Sequence, residues 1–136
     1  MTMASDSLPT SGPLPNPASP SEAREVLRSE SFDAPDVQLI TMEATEFTAL
    51  CPRTGQPDFG SVTVEYVPRD KCIESKSLKY YLWSYRNEGV FCETLAAQIA
   101  DDIVYAIDPR VVEVEVTQNI RGGIGIVASA LRGDAA

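Results

Sequence analysis

An α+β fold is predicted by three features of the sequence: strand-like alternation before residue 68, two adjoining stretches of helical periodicity from 74 to 107, and renewed alternation after 111. The resulting order is ββααββ. It lacks the strict β-α-β alternation of a parallel sheet, so it predicts an antiparallel sheet with two helices on one face. At 136 residues, 43% of them apolar, the chain has material for one domain.

Residues 1–36 come first. Six of the ten prolines and seven serines fall in the first 35 residues, where Phe32 is the only aromatic side chain. That composition predicts a disordered Pro/Ser-rich tail without a core of its own, a single folded domain over 37–131, and a flexible C-terminus over 132–136. Val37 to Met42 and Glu46 to Leu50 read as extended segments, the second ending at Cys51-Pro52, where proline disfavours helix for the residue before it. Arg53 to Gly60 is dense in turn formers and predicts a loop, and Ser61 to Val67 alternates as a strand. Leu78, Leu82 and Tyr85 share a helical face, predicting a helix over 74–86 that ends near Asn87-Glu88-Gly89. The stripe Phe91, Leu95, Ile99, Ile103, Ile107 predicts a second helix, stopped by Asp108-Pro109. Val112, Val114 and Val116 alternate with glutamates, and a turn at Arg121-Gly122-Gly123 leads to Ile124, Ile126 and Ala128 on one face of a last strand.

Composition excludes several chemistries. With no histidine, the chain cannot build a Ser-His-Asp or Cys-His pair, a His-ligated zinc or a histidine acid/base. The net charge of -9 disfavours a protein that coats nucleic acid. Three cysteines, Cys51, Cys72 and Cys92, about 20 residues apart and without C-x-x-C, suit neither a disulfide framework nor a structural zinc; reduced thiols in a cytoplasm are expected, and no metal site. No apolar run reaches the roughly 18 residues of a membrane span, and the start lacks the basic and apolar regions of a signal peptide. Gly122, Gly123 and Gly125 cluster without G-x-G-x-x-G spacing, so no Rossmann phosphate loop exists.

Chemistry must then run on cysteine, carboxylates, lysine, tyrosine or arginine. Cys51, at a strand end with Arg53 two residues on, has the semi-exposed electropositive surroundings that favour a thiolate, although a lone cysteine is more often a small buried apolar residue. Asp58 lies seven residues on, close enough for the loop to fold its carboxyl back beside the sulfur; a turn aspartate is the plainer reading. Lys76 and Lys79 share a face one turn into the first helix, where they and the free N–H groups of the helix start could hold a phosphate, or simply face water. Glu74 could serve only the helix dipole, as could Glu93, whose carboxylate is otherwise suited to accept hydrogen bonds from a purine-like base. Tyr80, Tyr81, Trp83 and Tyr85 read as core and interface.

Taken together and in order, Leu50-Cys51-Pro52-Arg53-Thr54-Gly55-Gln56-Pro57-Asp58-Phe59, Glu74-Ser75-Lys76-Ser77-Leu78-Lys79-Tyr80-Tyr81-Leu82, Phe91-Cys92-Glu93, Asp108-Pro109-Arg110 and Arg121-Gly122-Gly123-Ile124 closely resemble the short form of the queuosine-pathway nitrile reductases. The resemblance covers about residues 46 to 127, and its E-S-K-S-x-K-x-Y string is the signature of the NADPH-using members of the tunnel-fold superfamily. It implies a tunnel fold whose copies close a barrel, a decamer of two face-to-face pentamers, with the base of 7-cyano-7-deazaguanine bound between neighbours and reduced with NADPH to the aminomethyl product. By position it implies Cys51 as the nucleophile that forms a thioimide with the nitrile and Asp58 as proton donor, its carboxyl kept protonated by burial or a neighbouring anion. It further implies Ile73, Glu74, Ser75, Cys92 and Glu93 about the substrate, and Lys76, Lys79 and Arg121 on the cofactor. One departure is Cys92, where the family commonly has histidine. Alternatives are an amidine-forming transferase using the same thioimide without NADPH, against which the lysine signature argues, and a non-catalytic purine-binding oligomer. A GTP cyclohydrolase of similar fold would lack its usual histidine zinc ligands. No direct contact with nucleic acid or membrane is expected.

Overall fold

Alternation places Val62, Val64 and Tyr66 of one strand, and Val112, Val114 and Val116 of another, on a single buried face, and that face carries the helices. The computed structural model describes residues 8–17 and 19–134. Its main sheet has four antiparallel strands in the order β2 (Ile40–Leu50), β3 (Pro57–Val67), β5 (Val111–Arg121), β6 (Ile124–Gly133). Between β3 and β5 the chain crosses over through α2 (Ser75–Trp83) and α3 (Cys92–Ile107). Helix α3 packs on β5 and β6, and α2 reaches β2. The ββααββ order, antiparallel pairing and helical face predicted from sequence are all present. Among the described residues no helix is long and apolar enough to cross a membrane.

The N-terminal segment departs from expectation. The described part of the tail expected to be disordered, residues 8–17 and 19–36, includes α1 (Pro20–Ser29) and a short strand β1 (Phe32–Asp33) that pairs with β4 (Lys71–Cys72); residues 1–7 and 18 of that tail lie outside the described residues. Helix α1 starts on a Ser19 cap that accepts from the Glu22 N–H, has proline in its first turn, and buries Ala23, Val26 and Leu27 against α2 and α3. Leu8 joins the same apolar cluster. Composition averaged over the segment dilutes a short amphipathic stripe that needs only three apolar residues to dock. The C-terminus departs too: β6 continues through Arg132 and Gly133, and the Asp134 N–H donates to the Arg110 carbonyl, leaving only 135–136 of the expected flexible end outside the described residues.

Within the body, the two extended segments expected before Cys51 form one strand, β2, with a bulge between Ala44 and Phe47. The bulge shifts the alternation so that Phe47 and Ala49 face the core, and the half-buried Cys51 follows directly on the strand end. The loop expected to run to Gly60 is shorter, because Pro57, Asp58 and Phe59 pair with Leu50, Ala49 and Thr48. The first helix is likewise shorter than 74–86, ending at Trp83 in a run of turns.

Candidate active site

The β2–β3 turn sets the first part of the site. The Cys51 N–H donates to the Gln56 carbonyl and the Gly55 N–H to the Cys51 carbonyl, both at 2.8 Å, and Gly55 sits at φ 71°, a conformation that favours glycine. The chain before α3 is stitched to the same strand end, since the Leu50 N–H donates to the Glu88 carbonyl and the Val90 N–H to the Leu50 carbonyl. Cys51 is thereby tied to the loop that delivers Cys92 and Glu93. Its half-buried thiol is lowered to about 7, first by hydrogen bonding from the Thr54 hydroxyl, then from the Arg53 and Thr54 backbone N–H groups, with a smaller share from Arg121.

Asp58 lies on β3, not on the loop, opposite Ala49 and on the face it shares with Val62 and Val64. Its partner is Arg121, with which it forms an ion pair. Two features of the β5–β6 hairpin deliver that guanidinium. Gly122 and Gly123, at φ 59° and 81°, make the two-residue turn, and a bulge between Gln118 and Arg121 re-phases the end of β5. The charged neighbour of this largely buried carboxyl is therefore a cation, not an anion. Two residues on along β3, Gly60 permits close approach of β3 to β5, since a methyl group there would overlap the Thr117 carbonyl.

A small cleft opens beside Asp58, lined also by Ala49, Gly60, Cys92, Thr117 and Gln118. Cys92 is buried, its thiol directed at the Val116 carbonyl at 3.5 Å and pushed up by burial and then by Glu93. Glu93 is exposed in the first turn of α3.

The remaining expected residues lie at the start of α2. Ile73 is buried and its N–H donates to the Tyr66 hydroxyl at 2.9 Å. Glu74 caps the helix, accepting the Lys76 and Ser77 N–H groups at 2.7 and 2.9 Å, so these amides are not free for a phosphate as the sequence suggested. What projects from this turn is Ser75, exposed at the first helical position, and the side chains of Lys76 and Lys79. Among the described residues no hydrogen bond links these to Cys51, Asp58 or Arg121. The structure thus joins Cys51, Asp58 and Arg121 at one sheet end with Cys92 beside them, and leaves the α2 group separate. Sequence reading missed Thr54, Thr117 and Gln118. Thr54 carried a signal, a hydroxyl in the turn that starts at a cysteine; the other two emerge only from strand register.

Comparison with known proteins gives consistent findings. The profile of a family described as QueF-like protein matches residues 57–136. The chain is 52% identical over 95 residues to the NADPH-dependent 7-cyano-7-deazaguanine reductase of Anaeromyxobacter sp. (strain K), covering 70% of this chain and 78% of that one. Against the enzyme of the same name from Halorhodospira halophila, identity is 47% over 104 residues, with 74% and 88% covered. A crystal structure of an archaeosine synthase, QueF-Like, in the apo form superposes with a TM-score of 0.70 at 25% identity, covering 75% of this chain and all of that one.

Proposed function

The chain belongs to the QueF-like family, and from that premise we propose that it reduces the nitrile of 7-cyano-7-deazaguanine to the primary amine with NADPH, a step of queuosine biosynthesis for tRNA. The observation that carries this reading is the juxtaposition, at one end of the sheet, of a Cys51 thiol lowered to about 7 with the Asp58–Arg121 pair, in a chain half identical to reductases of that name.

Cys51 is the nucleophile. A nitrile is a poor hydride acceptor, and addition of the sulfur to its carbon breaks one C–N π bond and gives a thioimide with a more reactive C=N. The proton balance runs through Asp58. Paired with Arg121, it takes the proton of the Cys51 thiol as the S–C bond forms and delivers it to the nitrile nitrogen, so one proton leaves sulfur and one reaches nitrogen. After the first reduction Cys51 leaves as thiolate, aided by the same hydrogen bonds from Thr54 and Arg53 that lower it in the free enzyme, and an imine remains. NADPH, when bound, supplies hydride twice per nitrile, because conversion of a nitrile to an amine takes four electrons. The ammonium groups of Lys76 and Lys79 suit its phosphates, and Arg121 can add a third cation once a substrate takes over Asp58. Glu93 and Ser75, both exposed, offer polar contacts to the base, while Cys92 and the buried Ile73 shape the pocket and Glu74 fixes the turn that presents Ser75.

This reading includes a homo-oligomer, a decamer of two pentamers, with the base between neighbouring copies. The long outer strands β2 and β6 each have one edge unpaired in the described sheet, and Val127 and Leu131 on β6 are 60% and 50% exposed, a hazard that closure into a barrel removes. Such assembly would also bring the α2 group of one copy to the Cys51 end of another. A reducing cytoplasm suits three free thiols, one of them reactive.

Incubation with 7-cyano-7-deazaguanine and NADPH tests the reading: two NADPH oxidised per amine formed, and none with Cys51→Ala, are expected. An adduct on Cys51 without NADPH oxidation would overturn it in favour of the amidine-forming transferase.

A further inference from the structure

Lys76 is held by a part of the chain far away in sequence. Its Nζ donates to the backbone carbonyl of Pro9 at 2.8 Å. Pro9 is fixed by the residue before it: the Leu8 side chain is only 7% exposed, and the Leu8 N–H donates to Glu30 Oε1 at 2.8 Å. Glu30 is itself the C-cap of α1, which packs on α2. Farther along the segment, Leu14 packs against the core, and Asn16 and Pro17 share a cleft with Trp83 and Arg86 at the other end of α2. Residues 8–17 therefore run along α2 from its first turn to its last.

We propose that Leu8 and Pro9, pinned by Glu30, form a positioning element of the cofactor site that aims the Lys76 ammonium at a phosphate; the inference rests on the reading that Lys76 binds NADPH. The partner chemistry supports positioning over blockade. A lysine ammonium has three N–H donors on a flexible four-carbon stem. A carbonyl occupies one donor and leaves the charge and two donors for a phosphate, whereas a carboxylate in its place would cancel the charge. Fixing the stem beforehand lowers the ordering cost of binding. Glu30 acts on Lys76 only through the Leu8–Pro9 backbone, so its effect belongs to cofactor affinity and not to the chemical step.

The test compares the full chain with Glu30→Ala, Glu30→Gln, Lys76→Ala and the double variant Glu30→Ala/Lys76→Ala, measuring kcat and both KM values. Glu30→Ala is expected to raise KM for NADPH about three- to tenfold, the range of one net hydrogen bond, with kcat and KM for the nitrile unchanged. Glu30→Gln, whose amide oxygen still accepts the Leu8 N–H, restores the value. In the double variant the loss is no greater than with Lys76→Ala alone, since the element works through that side chain. Should Glu30→Ala fail to fold, Leu8→Ala probes the other anchor and is expected to raise KM for NADPH alone. An unchanged or lowered KM for NADPH, or an equal rise in both KM values, overturns the inference. An unaffected Lys76→Ala overturns instead the assignment of Lys76 to the cofactor.

Discussion

Two carboxylate–arginine pairs in this molecule have nearly the same chemistry and opposite surroundings. Asp58 pairs with Arg121 at the open end of the sheet, beside a thiol lowered to about 7 and a cleft. Asp102, on α3, pairs with Arg24 of α1 at 3.3 Å and also accepts the Tyr81 hydroxyl at 2.5 Å. Tyr81 gives its one proton to Asp102, so in the 2.7 Å contact between the two hydroxyls Tyr85 is the donor. Burial pushes Asp102 and both tyrosines up. The Arg24 guanidinium also lies over the Tyr105 ring, 4.3 Å from its centroid. The hydrogen bonds of Asp102 join α3 to α1 and to α2, and among the described residues no cysteine hydrogen-bonds to the cluster. In the first, Asp58 has Arg121 as its one side-chain hydrogen-bond partner among the described residues. The neighbours, not the pair, decide whether such a group reacts or holds helices together.

Three substitutions break or sharpen that contrast. The largest effect belongs to Asp58→Asn, which keeps the shape and removes the proton carrier of the proposed mechanism: kcat is expected to fall about 10²- to 10⁴-fold with an unchanged thermal midpoint. Asp102→Ala should do the reverse. It removes the shared carboxylate partner of the Tyr81 hydroxyl and the Arg24 guanidinium, and urea denaturation should show a loss of about 3 kcal/mol while kcat of the folded protein stays within about twofold. A fall in kcat there would erase the distinction between the clusters. The smallest effect is expected for Thr54→Val, which removes the largest contribution to the lowered Cys51 thiol. The thiolate is the reactive form and its population rises with pH through the pKa, so alkylation of the parent protein should be half-maximal near pH 7. In the variant the midpoint should move up, with a rate at pH 7 less than about tenfold lower. Cys72 and Cys92, both buried, should stay unmodified in the native protein.

The contrast between the pairs was only half legible in the sequence. Cys51 and Asp58 stood out because a turn-rich loop joins them, and the ββααββ order followed from side-chain periodicity. The Asp58–Arg121 pair was invisible, since it depends on where a bulge falls in β5, and no local pattern fixes a bulge. Asp102 was hidden on a helix stripe defined by Ile99 and Ile103, because its partners come from α2 and from a helix in the segment expected to be disordered. The signals for that helix were local: a serine cap at Ser19, Pro20 at the first position, and Ala23, Val26 and Leu27 on one face. Glu74 was legible as a carboxylate serving the helix start, and the backbone amides of Lys76 and Ser77 are its partners.

The most direct measurement is the intact mass of the protein after incubation with 7-cyano-7-deazaguanine alone, followed by peptide mapping. Addition of the Cys51 sulfur across the nitrile predicts a gain equal to the whole mass of the substrate, carried by Cys51 only and absent in Cys51→Ala. No gain in mass, or a gain carried by Cys92, would contradict the account.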